Sequence, residues 1–268
     1  MAHFLRDQRI ENLSISEGTL IQLSAVFADR AILLNENATD TDASGKTNAF
    51  LTYVIRFDNK GYRLFARDDL LRHFNDAKSV ERVIFTVETA ESIQANRQIG
   101  SYLELRLDEK DPNSCFLSVT SDDRDWVDAS FSTVLDTLSK WRNRNGWART
   151  NWTVLGVQLV GVTMGFILSL WAATKISPKL SIDSPFVFSF LFILLMFSNT
   201  WTFVSQQLLR LVHFAFPNIR FLRRDKERLH WLLQTLIGAA VVAVALYVLG
   251  QASAFLFGIL GDLINKST

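Results

Sequence analysis

Several groups of residues in this 268-residue chain could do chemistry, and their spacing decides which chemistry is open to them. Gly45, Lys46 and Thr47 match the end of a phosphate-binding loop, but that loop requires a glycine where this chain has Asp40. No serine lies in a Gly-x-Ser-x-Gly turn, which is the nucleophile arrangement of many hydrolases. The spacing therefore favours a solvated polar loop at 35–48 and does not support nucleotide binding or hydrolysis.

Metal and thiol chemistry are also disfavoured. None of the four histidines has a second histidine four residues later, which a helical zinc site requires; they are His3, His73, His213 and His230. The single cysteine, Cys115, excludes an intrachain disulfide, and its alternating apolar surroundings predict a buried strand residue. The carboxylates between Asp122 and Asp128 lack calcium-loop spacing and suit the start of a helix. We predict no catalytic residue, cofactor or metal, and a protein that is not an enzyme.

Charge is distributed very unevenly along the chain. Residues 1–149 carry 19 Lys and Arg against 23 Asp and Glu, a net charge of −4, whereas 150–268 carry 9 against 4, a net charge of +5. Three stretches contain no charged side chain: 150–174, 184–209 and 231–261. Each exceeds the roughly 20 residues that cross a bilayer core. This pattern excludes a simple soluble enzyme, a disordered chain and a basic nucleic-acid-binding protein, and it predicts two domains, 1–149 and 150–268.

The charge-free stretches predict an all-α membrane domain of three transmembrane helices, at about 152–173, 185–207 and 231–249. Trp152 and Trp171 frame the first helix about 28 Å apart, as interfacial tryptophans do. The third stretch is too long for one crossing, and Gly250 offers a break. We expect 252–264 to form an interfacial helix on the outer surface, the alternatives being a fourth crossing or a re-entrant segment.

The positions of Lys and Arg predict the orientation. They cluster before the first span and between the second and third, and they are few in the other two connections. This predicts a multi-pass protein of the plasma membrane or bacterial inner membrane, with its N-terminus in the cytoplasm and its C-terminus outside. The chain start lacks the apolar region of a signal peptide, which agrees. The basic connection supplies candidates for contact with anionic lipids or with the acidic domain: Arg220, Arg223, Arg224, Lys226 and Arg228.

Two further sets of residues lie inside the predicted spans. Gly161 and Gly165 form a Gly-x-x-x-Gly pattern with Gly156 nearby, which predicts close helix packing, either within the chain or with a second copy. Uncharged polar residues are costly in lipid, so we expect them to line a wet pathway or to form hydrogen bonds between helices. These candidates are Gln158, Ser198, Asn199, Thr202, Ser205 and Gln206.

The first domain is predicted to be α+β, with helices on one face of a mainly antiparallel sheet. Alternation and turn residues predict strands at 49–57, 62–66, 80–88, 102–107 and 115–119, and helices at about 17–34, 68–77 and 123–142. An apolar stripe on the last helix predicts a core face, or else a seam against a neighbouring subunit: Val127, Phe131, Val134, Leu138 and Trp141. Few residues separate this helix from the first span.

Together these features predict an integral membrane protein that forms a homo-oligomer. Its cytosolic domain would sense an unidentified small molecule or protein and act through helix 123–142 on the spans, as a channel-like or membrane-perturbing effector. The alternative is a non-enzymatic membrane-anchored scaffold or subunit that recruits a partner protein. No motif places the chain in a family, and we expect no nucleic-acid partner.

Overall fold

The computed structural model of the chain describes residues 4–39, 48–143, 145–181, 183–222 and 235. The chain folds as two compact units. The first contains residues up to 146 together with the segment that begins at 217, and the second contains the helices between them. The predicted third span at 231–249 and the predicted interfacial helix at 252–264 lie outside the described residues, apart from the single position Thr235.

The first unit contains a six-stranded antiparallel sheet in the order β1-β7-β6-β5-β3-β4. A parallel pair, β2 and β8, forms a separate two-stranded sheet. The strands are β1 Phe4–Arg9, β2 Leu13–Ile15, β3 Ala49–Phe57, β4 Lys60–Leu64, β5 Val80–Thr89, β6 Tyr102–Asp108, β7 Phe116–Ser121 and β8 Ile219–Phe221. The predicted α+β fold with an antiparallel sheet is confirmed, and consecutive strands pair in the sheet as β3 with β4 and β6 with β7.

The longer helices of the first unit pack on one face of the sheet, as the alternation of apolar residues predicted. The helices are α1 Glu17–Thr39, α2 Arg67–Asp76, the short α3 Ala90–Gln94 and α4 Arg124–Ser139. The core includes Phe27 of α1, Phe74 of α2 and Phe85 of β5, all essentially inaccessible to solvent. Phe27 and Phe85 contact each other, with ring centroids 5.3 Å apart.

Helix α4 is shorter than the predicted 123–142. Asp123 caps its start by accepting hydrogen bonds from the backbone N–H groups of Asp125 and Trp126, as the acidic run suggested. The helix ends at Ser139, so Trp141 is not part of it. The rest of the apolar stripe, from Val127 to Leu138, is buried in the core, which assigns it to packing within the unit.

The second unit contains two long apolar helices, α5 Asn151–Ile176 and α6 Pro185–Ala215. Both are long and apolar enough to cross a membrane, and they coincide with the first two predicted spans. A short 3-10 turn, Ser177–Lys179, follows α5. Proline in the first turn of α6 suits a helix start, where its missing N–H costs nothing. We refer to 147–216 as the apolar hairpin.

Candidate coupling site at the two ends of the apolar hairpin

The short strand β2 lies between the two segments of the first unit that adjoin the apolar hairpin in sequence. The incoming segment, 141–146, leads from α4 toward the hairpin, and the returning segment, 217–222, follows it. We call these two segments and residues 10–15, which contain β2, the junction. Its members come from three distant parts of the chain, and all belong to the first unit.

The incoming segment is attached to β2 by antiparallel backbone contacts. Leu13 and Arg142 form a β-bridge, and Ser14 N–H donates to the carbonyl of Trp141 at 3.0 Å. Asn143 N–H donates to the carbonyl of Asn12 at 2.7 Å. Backbone hydrogen bonds of this kind fix the position of the chain immediately before the hairpin, whatever the side chains around them.

The returning segment is attached to the opposite edge of β2. β8 pairs with β2 in parallel register, with Ser14 opposite Arg220. Leu13 N–H donates to the carbonyl of Asn218 at 3.0 Å, and Leu222 N–H donates to the carbonyl of Ile15 at 2.7 Å. The strand is short, but Leu13, Ile15 and Ile219 are all buried in the core of the first unit.

Asparagine side chains complete the junction. Asn218 is buried; its Oδ1 accepts from Asn12 N–H at 2.9 Å, and its Nδ2 donates to the carbonyl of Ile10 at 3.3 Å. Asn145 Nδ2 donates to the carbonyl of Pro217 at 3.3 Å, which links the incoming and returning segments directly. A side chain at Gly146 would collide with that of Asn12, which has a left-handed backbone (φ 61°).

Each hairpin-adjacent segment also connects to a helix of the first unit. The incoming segment follows the C-terminal end of α4, and Trp141 N–H donates to the carbonyl of Leu138 at 3.0 Å. On the returning side, Phe221 of β8 meets Phe74 of α2 edge to face, with ring centroids 6.2 Å apart. Both segments are thus attached to a helix of the first unit.

Within the second unit, the ends of the apolar hairpin are also tied together. Arg149 donates through Nε to the carbonyl of Phe216 at 3.2 Å and through its guanidinium to the carbonyl of His213 at 3.3 Å. Trp147 packs edge to face on Phe216, with ring centroids 5.1 Å apart. A cation near the last carbonyls of a helix satisfies them and favours its dipole.

Two of the three candidate packing glycines lie at the interface between α5 and α6. A side chain at Gly161 would overlap the indole of Trp201, and one at Gly165 would overlap the ring of Phe197. These two aromatic rings stack 5.9 Å apart on α6. Among the described residues, in contrast, nothing lies within 4 Å of a Cβ added at Gly156. The Gly-x-x-x-Gly pair is thus occupied by packing within the hairpin.

The predicted polar pathway residues do not form a closed cluster within the described residues. Ser205 is buried, and its hydroxyl donates to the carbonyl of Thr202 at 3.1 Å. Thr202 donates likewise to the carbonyl of Ser198. The remaining members, Gln158, Ser198, Asn199 and Gln206, are exposed. Hydroxyls bonded to their own helix backbone need no second helix as a partner.

Of the predicted basic docking residues, the structure describes one. Arg220 lies in the middle of β8, so the described start of the basic connection joins the first unit as a strand. Arg223, Arg224, Lys226 and Arg228 lie outside the described residues.

Cys115 and His73, which were considered above for thiol or metal chemistry, pack against other residues of the first unit. Cys115 is buried, its Sγ donates to the carbonyl of Asp108 at 3.1 Å, and burial raises the pKa of the thiol to about 11. His73 stacks on Tyr62 at 4.7 Å. Lys46 and Thr47 lie outside the described residues. Within the described part of the chain, no group of three or more His, Cys, Asp and Glu residues could hold a metal ion.

Comparison of the chain with family models, with curated proteins and with solved structures returned no match.

The junction was not predicted from the sequence. Its strands β2 and β8 are three residues each, too short for a periodic signal, and they pair across about two hundred intervening residues. Asn12 and Asn218 have no motif around them. The one local indication is the sequence Pro217-Asn218 followed by the apolar Ile219 and Phe221, a turn followed by alternation.

Proposed function

We propose that this chain is an integral membrane protein whose α+β domain controls the apolar hairpin through the junction. The observation that carries the proposal is the placement of β2, hydrogen-bonded on one edge to the segment that precedes the hairpin and on the other to the segment that follows it. A change in the domain that moves β2, α4 or α2 would move both ends of the hairpin together.

Membrane insertion is supported by the surface of the second unit. Large apolar side chains of α5 and α6 are exposed within the described residues, among them Trp152, Leu159, Val162, Leu195 and Phe214, each at least 69% exposed. A soluble core helix would bury such residues, whereas a lipid-facing helix exposes them. Asn145 and Pro217 lie side by side in the first unit. A segment that leaves and returns at one place crosses a membrane an even number of times, which fits two spans.

The activity that we propose is that of a self-associating, channel-like or membrane-perturbing effector. Two helices, or the three predicted from the sequence, are too few to enclose a sizeable pore, so the activity requires several copies. The α+β domain would lie in the cytoplasm, where it would sense a small molecule or a protein. In this proposal the junction makes the packing of the spans depend on the state of the domain.

Topology is tested by single cysteines, because the native Cys115 is buried. Ser181→Cys lies beyond the end of α5 and Ser139→Cys lies at the end of α4, and both positions are exposed. We expect a membrane-impermeant maleimide to label Ser181→Cys in intact cells and Ser139→Cys only in inverted vesicles. Labelling of both variants from the same side would contradict the two-span hairpin.

The proposed coupling between the domain and the hairpin is tested by cross-linking the junction with a disulfide. Ser14 and Arg220 are register partners on β2 and β8, so Ser14→Cys with Arg220→Cys should cross-link on oxidation. The purified full chain is reconstituted into dye-loaded liposomes at increasing protein-to-lipid ratio. We expect dye release by the wild type and by the reduced variant, and its suppression on oxidation. The single variants, treated identically, should be unaffected by oxidation.

Two outcomes would overturn this proposal. Absence of release at every protein density would favour a scaffold that recruits a partner. Release that does not respond to oxidation of a fully cross-linked junction would show that the hairpin acts independently of the domain.

A further inference from the structure

The face of the six-stranded sheet opposite the long helices carries arginines at one end. Pairing register places six residues in one row across all six strands: Arg9, Phe116, Arg106, Ile84, Val54 and Arg63. Directly opposed residues in a sheet share a face. The neighbouring row contains Arg56, Arg82 and Asp108. We call these two rows the arginine face.

Carboxylates neutralise only part of the arginine face. Arg82 pairs with Asp108 at 2.6 Å, Arg56 pairs with Glu81 at 3.1 Å, and Arg9 pairs with Glu11 at 3.5 Å. Arg106 and Arg63 make no hydrogen bond or ion pair with any described residue, and Arg106 Nε is buried without a partner. A buried guanidinium nitrogen without a hydrogen-bond partner is costly unless an acceptor approaches it.

The other end of the same face is not cationic. Glu88 and Glu104 are buried there, and both pair with Arg97, which also lies over the ring of Tyr102 at 4.1 Å. Asp7 lies in the same region, opposite Ser118. Charge on this sheet face is therefore polarised, with the excess of arginine confined to one end.

The arginine face lies at the end of the sheet nearest the junction. Arg9 is the last residue of β1, and the next residue, Ile10, accepts a hydrogen bond from Asn218 of the returning segment. Both the incoming and the returning segments of the hairpin belong to this end of the first unit.

We infer that the arginine face binds the phosphate groups of anionic lipids at the membrane surface, an inference that rests on the proposed membrane insertion. Guanidinium groups hold phosphate oxygens in bidentate geometry. Six strands at about 4.8 Å spacing spread the row over roughly 24 Å, which suits a surface of many phosphates better than one small ligand. Phe116, Ile84 and Val54 separate the arginines and offer apolar contact to the interface.

The inference is tested by the accessibility of this face in lipid nanodiscs that hold the full chain. Ser118→Cys places a thiol on the same face, two residues from Phe116, and Ser132→Cys places one on the exposed side of α4. Anionic lipid, compared with zwitterionic lipid at the same ionic strength, should slow maleimide labelling of Ser118→Cys by about fivefold or more. Labelling of Ser132→Cys should not change.

Charge variants identify the residues responsible. Arg63→Gln with Arg106→Gln should abolish the slowing at Ser118→Cys. The matched control, Arg72→Gln with Arg124→Gln, removes the same charge from exposed positions of α2 and α4 and should leave the slowing intact. Equal labelling rates in anionic and zwitterionic nanodiscs would overturn the inference.

A further measurement distinguishes binding of lipid phosphate from binding of free phosphate. If inorganic phosphate added to zwitterionic nanodiscs protects Ser118→Cys as strongly as anionic lipid, the site binds soluble phosphates and the lipid assignment is wrong. These outcomes are independent of the proposed coupling, because the nanodisc experiment uses inserted protein and reads only the sheet face. Failure of insertion is detected separately by the labelling of Ser181→Cys.

Discussion

At the scale of single residues, Asn218 does the most to hold the junction together. Its side chain satisfies one backbone donor and one backbone acceptor near β2, and its own carbonyl accepts from Leu13. Both side-chain bonds join parts of the chain more than 200 residues apart in sequence. A residue whose hydrogen bonds are all internal to the fold contributes to stability and to position at the same time.

We expect Asn218→Ala to lower the free energy of unfolding of the first unit by about 2–3 kcal/mol, because it leaves Asn12 N–H and the Ile10 carbonyl without their partner. Urea titration of the detergent-solubilised chain, followed by tryptophan fluorescence, measures this change. The control Asn48→Ala, at an exposed asparagine, should shift stability by less than about 0.5 kcal/mol. Equal effects of the two variants would argue against the junction contacts.

Glu81 gives the first unit a dependence on acidity. The Lys110 ammonium, which donates to the carboxylate at 2.5 Å, lowers the pKa of Glu81 below its usual value of 4.5, and nearby Arg56 acts in the same direction, while burial opposes both. A group whose pKa is lower in the folded state stabilises the fold above its unfolded pKa. That contribution is lost as the pH falls below about 4.5 through the folded pKa.

We therefore expect wild-type stability to fall more steeply below pH 4.5 than that of Glu81→Gln, which has no carboxylate to protonate at this position. Denaturant titrations at a series of pH values give the two slopes. Asp68→Asn, at an exposed carboxylate, serves as the control and should keep the wild-type slope. Parallel curves for wild type and Glu81→Gln would show that the ion pair does not contribute.

At the scale of elements, α5 and α6 contact each other through closely packed, complementary surfaces. Small residues on α5 receive large rings on α6, with Gly161 beneath Trp201 and Gly165 beneath Phe197. In lipid, where apolar burial gives little driving force between helices, such close contact supplies the association energy. The Gly-x-x-x-Gly pattern was recognisable in the sequence, but its partner was not, because aromatic residues recur throughout α6.

We expect Gly161→Leu to separate the two helices at Trp201 and to destabilise the hairpin by about 1–3 kcal/mol, the usual result of overpacking. Gly156→Leu adds the same side chain to the same helix at a position with no close neighbour among the described residues, and it should be tolerated. Thermal unfolding of the two variants in detergent distinguishes them. If both variants unfold together, the packing at Gly161 is not the determinant.

The elements also show how far the sequence determines the fold. Strands β3, β5 and β6 follow from alternation, because one side of each faces the core. Strand β1 does not, since all six of its residues are exposed at the sheet edge and neither side carries an apolar pattern. The end of α4 at Ser139 was also missed: the apolar spacing continues to Trp141, but the backbone there turns to pair with β2.

At the scale of the whole molecule, the orientation of the chain is a separate prediction. The distribution of Lys and Arg, together with three predicted spans, predicts that the C-terminus lies outside the membrane. A reporter that is active only in the cytoplasm, fused after Thr268, should be silent, whereas the same reporter inserted after Ser139 should be active. Activity at both positions would mean an even number of crossings and would remove the third span.

The discontinuous make-up of the first unit has a consequence for synthesis. Ile219 completes its core, yet this residue leaves the ribosome only after the whole hairpin has been made. At about 5–20 residues per second, the nascent domain waits several seconds with one edge of β2 open. If the hairpin inserts into a membrane as proposed, the domain can be completed only after the downstream end of the hairpin has returned to the side of the membrane where the domain lies. A mis-inserted chain would then leave the core of the first unit incomplete.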